Sequence, residues 1–276
     1  MTIESFEPQI TNLKSQLPTY NQMKSEVYKD WIGELREGNK FNRKQWEHIY
    51  ILQALRENNL LRDGVSGLGF GVGDESLPAV MAKNGCSVLA TEINIEKPNE
   101  DGWVKGKNVD EQLAALNKLG ICEKDKFKNL VSFRDVDMNH VPSDLNDFDF
   151  TWSSCALEHL GTMKHGEDFI FNSLKCLKPG GLAVHTTEFT LAKSKTVDHG
   201  FTVFYREKDI ISLAKRLQNE GHEISLNFFK GRSFADWNID FAPYRDKKHI
   251  KLIISKQWKL LLVTSIGLLI RKSSLS

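Results

Sequence analysis

The stretch GFGVGDE, residues 69–75, decides the fold. It overlaps the end of an apolar run, GVSGLGF, and it precedes a short helical pattern in which Leu77, Val80 and Met81 share one face. A glycine-rich turn between a strand and a helix lets the backbone approach a ligand closely and points the helix N-terminus toward it. The stretch therefore predicts a ligand-binding turn after the first strand of an α/β sheet.

The turn alone leaves three interpretations open: the phosphate-binding turn of a dinucleotide enzyme, the turn of a methyltransferase, and a tight connection without a ligand. The next apolar run, CSVLATEI, ends at Glu92, where an acid accepts hydrogen bonds from ribose hydroxyls. The spacing of 21 residues from Gly71 to Glu92 suits the first two interpretations equally. The presence of this acid argues against the third.

Strand and helix patterns alternate along the rest of the chain, which predicts βαβ units and a parallel sheet. Seven strands are predicted, in GVSGLGF, CSVLATEI, NLVSFRDVDM, FDFTWSS, GGLAVHTTEF, HEISLNFF and LLLVTSIGLLI. Residues 1–60 have helical spacing instead, with Trp46, Ile49, Tyr50 and Ala54 on one face. We expect a helical N-terminal extension over residues 1–60 and a cofactor-binding domain over residues 61–276.

The composition is that of an ordinary soluble globular protein. With 37 basic and 36 acidic residues the net charge is +1, so no general field attracts nucleic acid or anionic lipid. Four widely spaced cysteines form no disulfide or zinc pattern, and the start has no signal-peptide pattern, so we expect a cytoplasmic protein. The run LLLVTSIGLLI is too short to span a bilayer as a helix. The sequence predicts no oligomeric state.

The order of the downstream signals resembles the class I S-adenosylmethionine-dependent methyltransferases over about residues 60–270. The resemblance rests on three groups of residues. They are Asp137 and Met138 after the third strand, Ser153, Ser154 and the Glu158-His159 pair after the fourth, and LKPGG before the fifth. The resemblance implies a seven-stranded Rossmann-like sheet, mostly parallel with an antiparallel last strand. It also implies S-adenosylmethionine as cofactor and S-adenosylhomocysteine as product.

The same resemblance gives the expected cofactor-binding residues. They are Gly69, Gly71, Gly73, Glu75, Glu92, Ile93, Asp137, Met138, Ser153 and Ser154. The N-terminal helix, which lies outside the resemblance, adds Trp46 as a further candidate. The chain departs from the family pattern twice, because Gly69 stands where the family often has an acid and Glu75 where it has a third glycine. Glu75 either binds the methionine ammonium of the cofactor in place of that acid, or it only favours the N-terminus of the following helix. Trp46 either covers the cofactor or packs on the sheet.

Open α/β sheets bind ligands at the carboxyl ends of their strands. The catalytic candidates there are His159, Glu188 and His185, although a histidine inside an apolar strand, such as His185, is more typical of a core residue. Two insertions, about residues 189–206 and 231–252, are expected to contact the acceptor. Their candidate substrate residues are His199, Trp237, Asp240 and Tyr244. No spacing motif for a metal is found, so no metal site is predicted.

Several stretches, among them RKQWEHIYI, DWNIDFAPY and TSIGLLI, resemble bacterial methyltransferases of surface-polysaccharide and other glycan biosynthesis. This resemblance implies O-methylation of a sugar or another small polar metabolite, with a small-molecule or glycan acceptor and no nucleic-acid partner. Two alternatives stay open: a cofactor-binding partner subunit without catalysis, and a methyltransferase of a non-sugar small molecule.

Overall fold

The computed structural model describes residues 3–93, 108–244 and 249–274. The helices are Tyr20–Lys24 (α1), Glu26–Glu34 (α2), Arg43–Glu57 (α3), Leu77–Lys83 (α4), Val109–Leu116 (α5), Lys124–Leu130 (α6), Met163–Lys175 (α7) and Glu207–Asn219 (α8). The strands are Ile3–Glu4 (β1), Ser15–Gln16 (β2), Ser66–Phe70 (β3), Ser87–Glu92 (β4), Val131–Asp135 (β5), Phe148–Ser154 (β6), Leu177–Thr190 (β7), Glu223–Ile224 (β8), Leu226–Asn227 (β9), Ile239–Phe241 (β10), Lys251–Lys256 (β11) and Lys259–Arg271 (β12). Single 3-10 turns lie at Met138–His140, Leu157–His159 and Phe234–Trp237.

The centre of the fold is a parallel sheet in the order β7-β6-β3-β4-β5. Its order reverses between β3 and β6, so the loops after these two strands diverge and leave a crevice at their carboxyl ends. The glycine turn follows β3 and the loop that begins at Cys155 follows β6. The topology therefore places both predicted loops at one edge of the sheet.

The last strand, β12, pairs antiparallel with β7 from Val263–Thr190 to Arg271–Leu182. The prediction of a mostly parallel α/β sheet with an antiparallel last strand is confirmed. Over the described residues the sheet has twelve strands rather than seven. The additional strands arise because the sixth predicted strand is split into β8 and β9, and because short segments at β1, β2, β10 and β11 also join the sheet.

The N-terminal segment is only partly helical. Two short strands precede α1, and Gln16 of β2 pairs with Gly267 of β12. Helix α3 buries Trp46, Ile49 and Tyr50 completely, in the same apolar cluster as residues of β4 and β6. This segment is thus packed onto the sheet, and α3 reaches the carboxyl edge where the two loops lie.

None of the helices in the described part of the chain combines the length and the apolar character needed to cross a membrane.

Candidate functional site

A cavity of about 650 Å³ lies at the carboxyl edge of β3, β4, β5 and β6. Among the predicted cofactor residues it is lined by Gly71, Gly73, Glu75, Glu92, Ile93, Asp137, Met138 and Ser154, and among the predicted catalytic residues by His159. The whole lining comes from six separate parts of the chain that meet at one cavity, as expected for an open α/β sheet.

The glycine turn forms one wall, and two of its glycines have backbones that favour glycine. Gly71 has φ +61° and Gly73 has φ +49°, both in the left-handed region. A Cβ atom at Gly71 would lie 2.6 Å from Cβ of Ala156, whereas one at Gly73 would meet nothing within 4 Å. Gly71 therefore permits close packing of two loops, while Gly73 leaves the cavity wall open to a ligand.

Gly69, which the sequence predicted as a cofactor-binding residue, packs inside the sheet. It lies within β3 beside Trp152 of β6, and a Cβ atom there would lie 2.2 Å from the indole ring. Gly67 is placed in the same way against Phe150. These two glycines accommodate large aromatic side chains on the adjacent strand, and Gly69 does not line the cavity.

Glu75 is a nearly buried acid of the cavity wall, with its side chain 8% exposed. Its Oε1 accepts a hydrogen bond of 2.7 Å from Nε1 of Trp152, and its Oε2 lies 3.9 Å from Nε2 of His48. Burial raises the pKa of Glu75 to about 8, against the lowering effect of the Trp152 bond. The indole that excludes an acid at position 69 thus holds the carboxylate of residue 75.

Glu92 stands at the end of β4 and faces the glycine turn. Its Oε2 accepts a hydrogen bond of 2.8 Å from the Gly73 N–H, and its Oε1 accepts one of 2.9 Å from the Ile93 N–H. Burial raises the pKa of Glu92 despite these two bonds. The acid is therefore fixed beside the turn, where it can accept hydrogen bonds from the hydroxyl groups of a ligand in the cavity.

Asp137 and Met138 follow β5 and form the next wall. The Asp137 carboxylate accepts hydrogen bonds of 2.8 Å each from the Asn139 N–H and from the His140 ring. Met138 is 7% exposed and packs against the glycine turn, because its sulfur would lie 3.2 Å from a Cβ atom at Gly71. An acid beside a buried thioether offers a polar and an apolar surface for an aromatic ring.

Helix α3 contributes the residues that the sequence analysis missed. Lys44, Glu47 and His48 line the cavity, and Arg43 lies beside them. The signal was present in RKQWEH, where charged residues recur at i and i+4 on a helix whose other faces are apolar. Helix periodicity alone does not say whether such a charged stripe faces solvent or a cavity.

An ion network, buried except for the half-exposed Lys44, joins this helix to the end of β7. Arg43 Nη1 lies 2.8 Å from Glu188 Oε1, 3.5 Å from Glu47 Oε1 and 3.0 Å from Ser265 Oγ. Lys44 Nζ lies 3.4 Å from both Glu47 Oε2 and Glu188 Oε1. Burial alone would raise the pKa of Glu188, but the charges of Arg43 and Lys44 lower it. Glu188 is therefore held as a carboxylate partner of α3 and does not line the cavity.

His159 lies on the opposite wall with Phe201. Its Nδ1 is 2.8 Å from the carbonyl oxygen of Phe201, which can only accept, so Nδ1 carries the proton and donates. In the neutral ring the lone pair then lies on Nε2. The geometry fixes one tautomer of an imidazole at the cavity.

Three predicted site residues lie in the interior. His185 is fully buried between Ser153 Oγ, 2.8 Å from Nδ1, and Ser173 Oγ, 3.0 Å from Nε2. Burial lowers its pKa to about 3. Trp46 stacks on Tyr50 with ring centroids 4.9 Å apart. His185, Ser153 and Trp46 all lie outside the cavity lining, because each is enclosed by the packed sheet and helices.

The four predicted substrate residues also lie outside the cavity lining. His199 is exposed and 2.8 Å from Asp198, while Tyr244 donates to the carbonyl oxygen of Ile253 at 3.0 Å. Trp237 donates to the Gly231 carbonyl oxygen, and Asp240 lies 3.4 Å from His249. Residues 245–248 of the second insertion fall outside the described residues. The first insertion reaches the cavity through Phe201, which sequence reasoning did not single out.

Most of the residues that line the cavity lie in a segment that matches a known protein family. Residues 68–185 match the model of a family described as a methyltransferase domain, and this segment contains the glycine turn, Glu92, Asp137 and His159. A comparison with curated protein sequences finds no match. The match covers less than half of the chain and supports a methyltransferase domain with S-adenosylmethionine as its cofactor.

Several solved structures are similar to the chain. Magnesium protoporphyrin IX methyltransferase from Synechocystis PCC 6803 with bound SAH is 13% identical, with a TM-score of 0.48 over 91% of this chain and 96% of that one. A putative sarcosine dimethylglycine methyltransferase from Galdieria sulphuraria is 14% identical, with a TM-score of 0.46 over 84% and 85%. The (4+2)-cyclase SpnF is 18% identical, with a TM-score of 0.44 over 62% of this chain and 58% of the cyclase. Identities this low say nothing about the substrate.

Proposed function

We propose that the chain transfers the methyl group of S-adenosylmethionine to a hydroxyl of a sugar or another small polar metabolite, in bacterial polysaccharide or glycan biosynthesis. The observation that carries the proposal is the single cavity in which Gly73, Glu75, Glu92 and Asp137 meet. The acceptor class rests on the sequence resemblance and on the polar cavity wall that α3 supplies.

The residues present fit this cofactor. Gly73 leaves its part of the wall open, Glu92 can accept from ribose hydroxyls, and Asp137 with Met138 can frame the adenine. When bound, S-adenosylmethionine supplies an electrophilic methyl group on a sulfonium. The protein then has to bind it, orient the acceptor and exclude water.

Glu75 is the residue that we assign to the methionine ammonium of the cofactor. Its carboxyl is almost buried and has His48 as a basic neighbour, and burial lowers the pKa of that imidazole. A buried carboxylate gains strongly from a fully charged partner, since burial otherwise disfavours its ionised form. The ammonium group of the cofactor would supply that charge.

His159 is the residue that we assign to proton removal from the acceptor hydroxyl. Methylation of a hydroxyl oxygen requires loss of its proton, and a neutral imidazole is suited to accept it near pH 7. The Nδ1 bond to Phe201 leaves Nε2 as the basic atom. Lys44 and Glu47 provide polar groups in the same cavity for the other hydroxyls of a sugar.

Two measurements test the proposal. Calorimetry with S-adenosylmethionine and S-adenosylhomocysteine measures cofactor binding, and mass spectrometry measures methyl gain over a panel of sugar, amine and thiol acceptors. We expect binding and methylation of a sugar hydroxyl. Binding without turnover over the whole panel would favour the inactive partner subunit, and methylation of amines or thiols only would favour a non-sugar enzyme. Failure to bind either cofactor form would reject the methyltransferase assignment.

A further inference from the structure

Beneath the cavity three side chains with metal-ligating atoms converge. Cys155, Glu158 and Glu188 each place one such atom within 4.8 Å of the other two. Cys155 lines the cavity, whereas Glu158 is 0% and Glu188 7% exposed. The three residues come from the loop after β6, the following 3-10 turn and the end of β7. Their convergence is therefore a property of the packed sheet edge.

Two carboxylate oxygens in this cluster have no hydrogen-bond donor among the residues that the structure describes. They are Oε1 of Glu158 and Oε2 of Glu188. The other oxygen of Glu158 accepts from Thr187 Oγ1 at 3.0 Å, and that of Glu188 is bound by Arg43. A buried carboxylate oxygen without a partner is costly, so these two atoms indicate a missing positive ligand.

The charges around the cluster point to a divalent ion. Arg43 and Lys44 balance the carboxylates of Glu47 and Glu188 in one ion network. Glu158 forms no salt bridge with Arg43 or Lys44 among the residues that the structure describes, and a metal-bound Cys155 would add a second negative charge as thiolate. Two negative charges that remain next to one another are neutralised by one divalent cation.

We propose that Cys155, Glu158 and Glu188 bind a zinc ion. Zn²⁺ binds both thiolate and carboxylate ligands. A zinc ion that contacts a substrate usually has three protein ligands and one open coordination position. Because Cys155 lines the cavity, a zinc ion bound to its thiolate would be accessible from the cavity. Binding of the metal is independent of methyl transfer, but a role for the open position in holding an acceptor oxygen rests on the proposed function.

Cobalt is the probe for this site, because Co²⁺ replaces Zn²⁺ and a Co²⁺–thiolate bond absorbs in the near ultraviolet. The full chain is stripped with a chelator, kept reduced with a phosphine and titrated with Co²⁺. We expect one equivalent to produce the thiolate-to-cobalt charge-transfer band and Zn²⁺ to remove it. Absence of the band in the wild-type protein would overturn the proposal, whatever the protein methylates.

Variants identify the ligands. Cys155→Ser should abolish the band, and Glu158→Gln should weaken Zn²⁺ binding by at least about tenfold. Cys176→Ser is the matched control, since Cys176 is also a free thiol but precedes the start of β7, at the opposite end of that strand from Glu188, and it should keep the band. Glu188→Gln also removes a partner of Arg43, so Glu158→Gln is the carboxylate test that leaves this ion pair intact. A band that survives Cys155→Ser, or unchanged affinity in Glu158→Gln, would reject the site.

Discussion

The indole N–H of Trp152 donates a hydrogen bond of 2.7 Å to the carboxylate of Glu75, which lies 77 residues earlier in the chain. The Trp152 ring crosses β3 at Gly69, so an acidic side chain has no room there. The same ring provides the donor that positions Glu75 in the cavity wall. The two departures from the family pattern, at positions 69 and 75, thus have one structural cause.

Replacing Glu75 by glutamine should stabilise the cofactor-free protein at pH 8. The folded-state pKa of about 8 lies above the ordinary value of 4.5, so between these values the folded protein holds a proton that the unfolded chain has lost. Stability therefore falls as pH rises from about 4.5 to 8, and glutamine removes this loss. Urea denaturation should show a gain of about 1–3 kcal/mol at pH 8 and little gain at pH 4.5. An Asp74→Asn variant, which removes one negative charge from the adjacent position in the same cavity wall, is the control for the loss of charge alone.

The same Glu75→Gln variant should bind S-adenosylmethionine about 10 to 100 times more weakly, because a charge-assisted hydrogen bond to the ammonium is lost. In the wild-type protein the affinity should rise with pH from 6 toward 7.5, since binding requires the ionised carboxylate. Calorimetry over this range measures both effects. Equal affinities of the two proteins at pH 7.5 would show that Glu75 does not contact the cofactor.

Replacing Gly71 or Gly73 by alanine should show which of the two glycines is needed for packing of the loops and which for access of the cofactor. Gly73→Ala should cost about 1–2 kcal/mol of stability for its positive φ and should also weaken cofactor binding, because the new methyl group enters the cavity wall. Gly71→Ala should cost more than about 2 kcal/mol, since its Cβ also overlaps Ala156. Gly64→Ala, with φ +80° and open space, is the control away from the cavity. It should lose stability like Gly73→Ala but bind cofactor normally.

Replacing His159 by glutamine should reduce kcat about 10²- to 10⁴-fold with little change in cofactor affinity, as expected for loss of a general base. His165→Gln is a matched control, because His165 makes an equivalent 2.8 Å bond from Nδ1 to the Leu160 carbonyl oxygen outside the cavity. The control should keep wild-type kcat. Similar kcat values for the two variants would mean that His159 is not the base.

His185 should contribute to the stability of the fold, and this contribution should depend on pH. Burial lowers its pKa to about 3, from an ordinary value of 6.5. Its bonds to Ser153 and Ser173 stabilise the fold above pH 6.5, and this contribution is lost as pH falls toward 3 because the unfolded chain takes up a proton first. His185→Gln should lose about 1–3 kcal/mol at pH 7.5 and less at pH 5, measured by urea denaturation. A loss of cofactor affinity in the folded variant would contradict this assignment.

Local patterns in the sequence predicted most of what lies near the turn. The strand and helix alternation, the glycine turn and Glu92 at the end of β4 could be predicted because each depends on residues close together in the chain, whereas the Asp137-Met138 pair followed from the family resemblance. The antiparallel last strand followed from the family resemblance, not from its residues. The extra strands could not be predicted, since segments as short as Ser15–Gln16 have no measurable alternation.

Residues that act across the sheet could not be assigned from the sequence. The sequence of an apolar strand does not change with the direction in which His185 points, so the pattern cannot distinguish a cavity from a contact with two serines. The charged stripe on α3 likewise has the same sequence whether it faces water or Glu188. Gly69 in the turn motif was interpreted as a ligand contact because the ring of Trp152 is 83 residues away. The convergence of Cys155, Glu158 and Glu188 depends on how two loops meet.

The sequence by itself determined the order of the strands along the chain, the glycine turn and the acid that closes it, because backbone conformation and alternating burial are local properties. The tertiary structure decided which side chains face the cavity. It did so by strand pairing, which places Trp152 beside Gly69, and by the packing of α3, which brings Lys44 and His48 to the turn. Burial and partner charges, and hence the pKa of Glu75 and of His185, exist only after these contacts have formed.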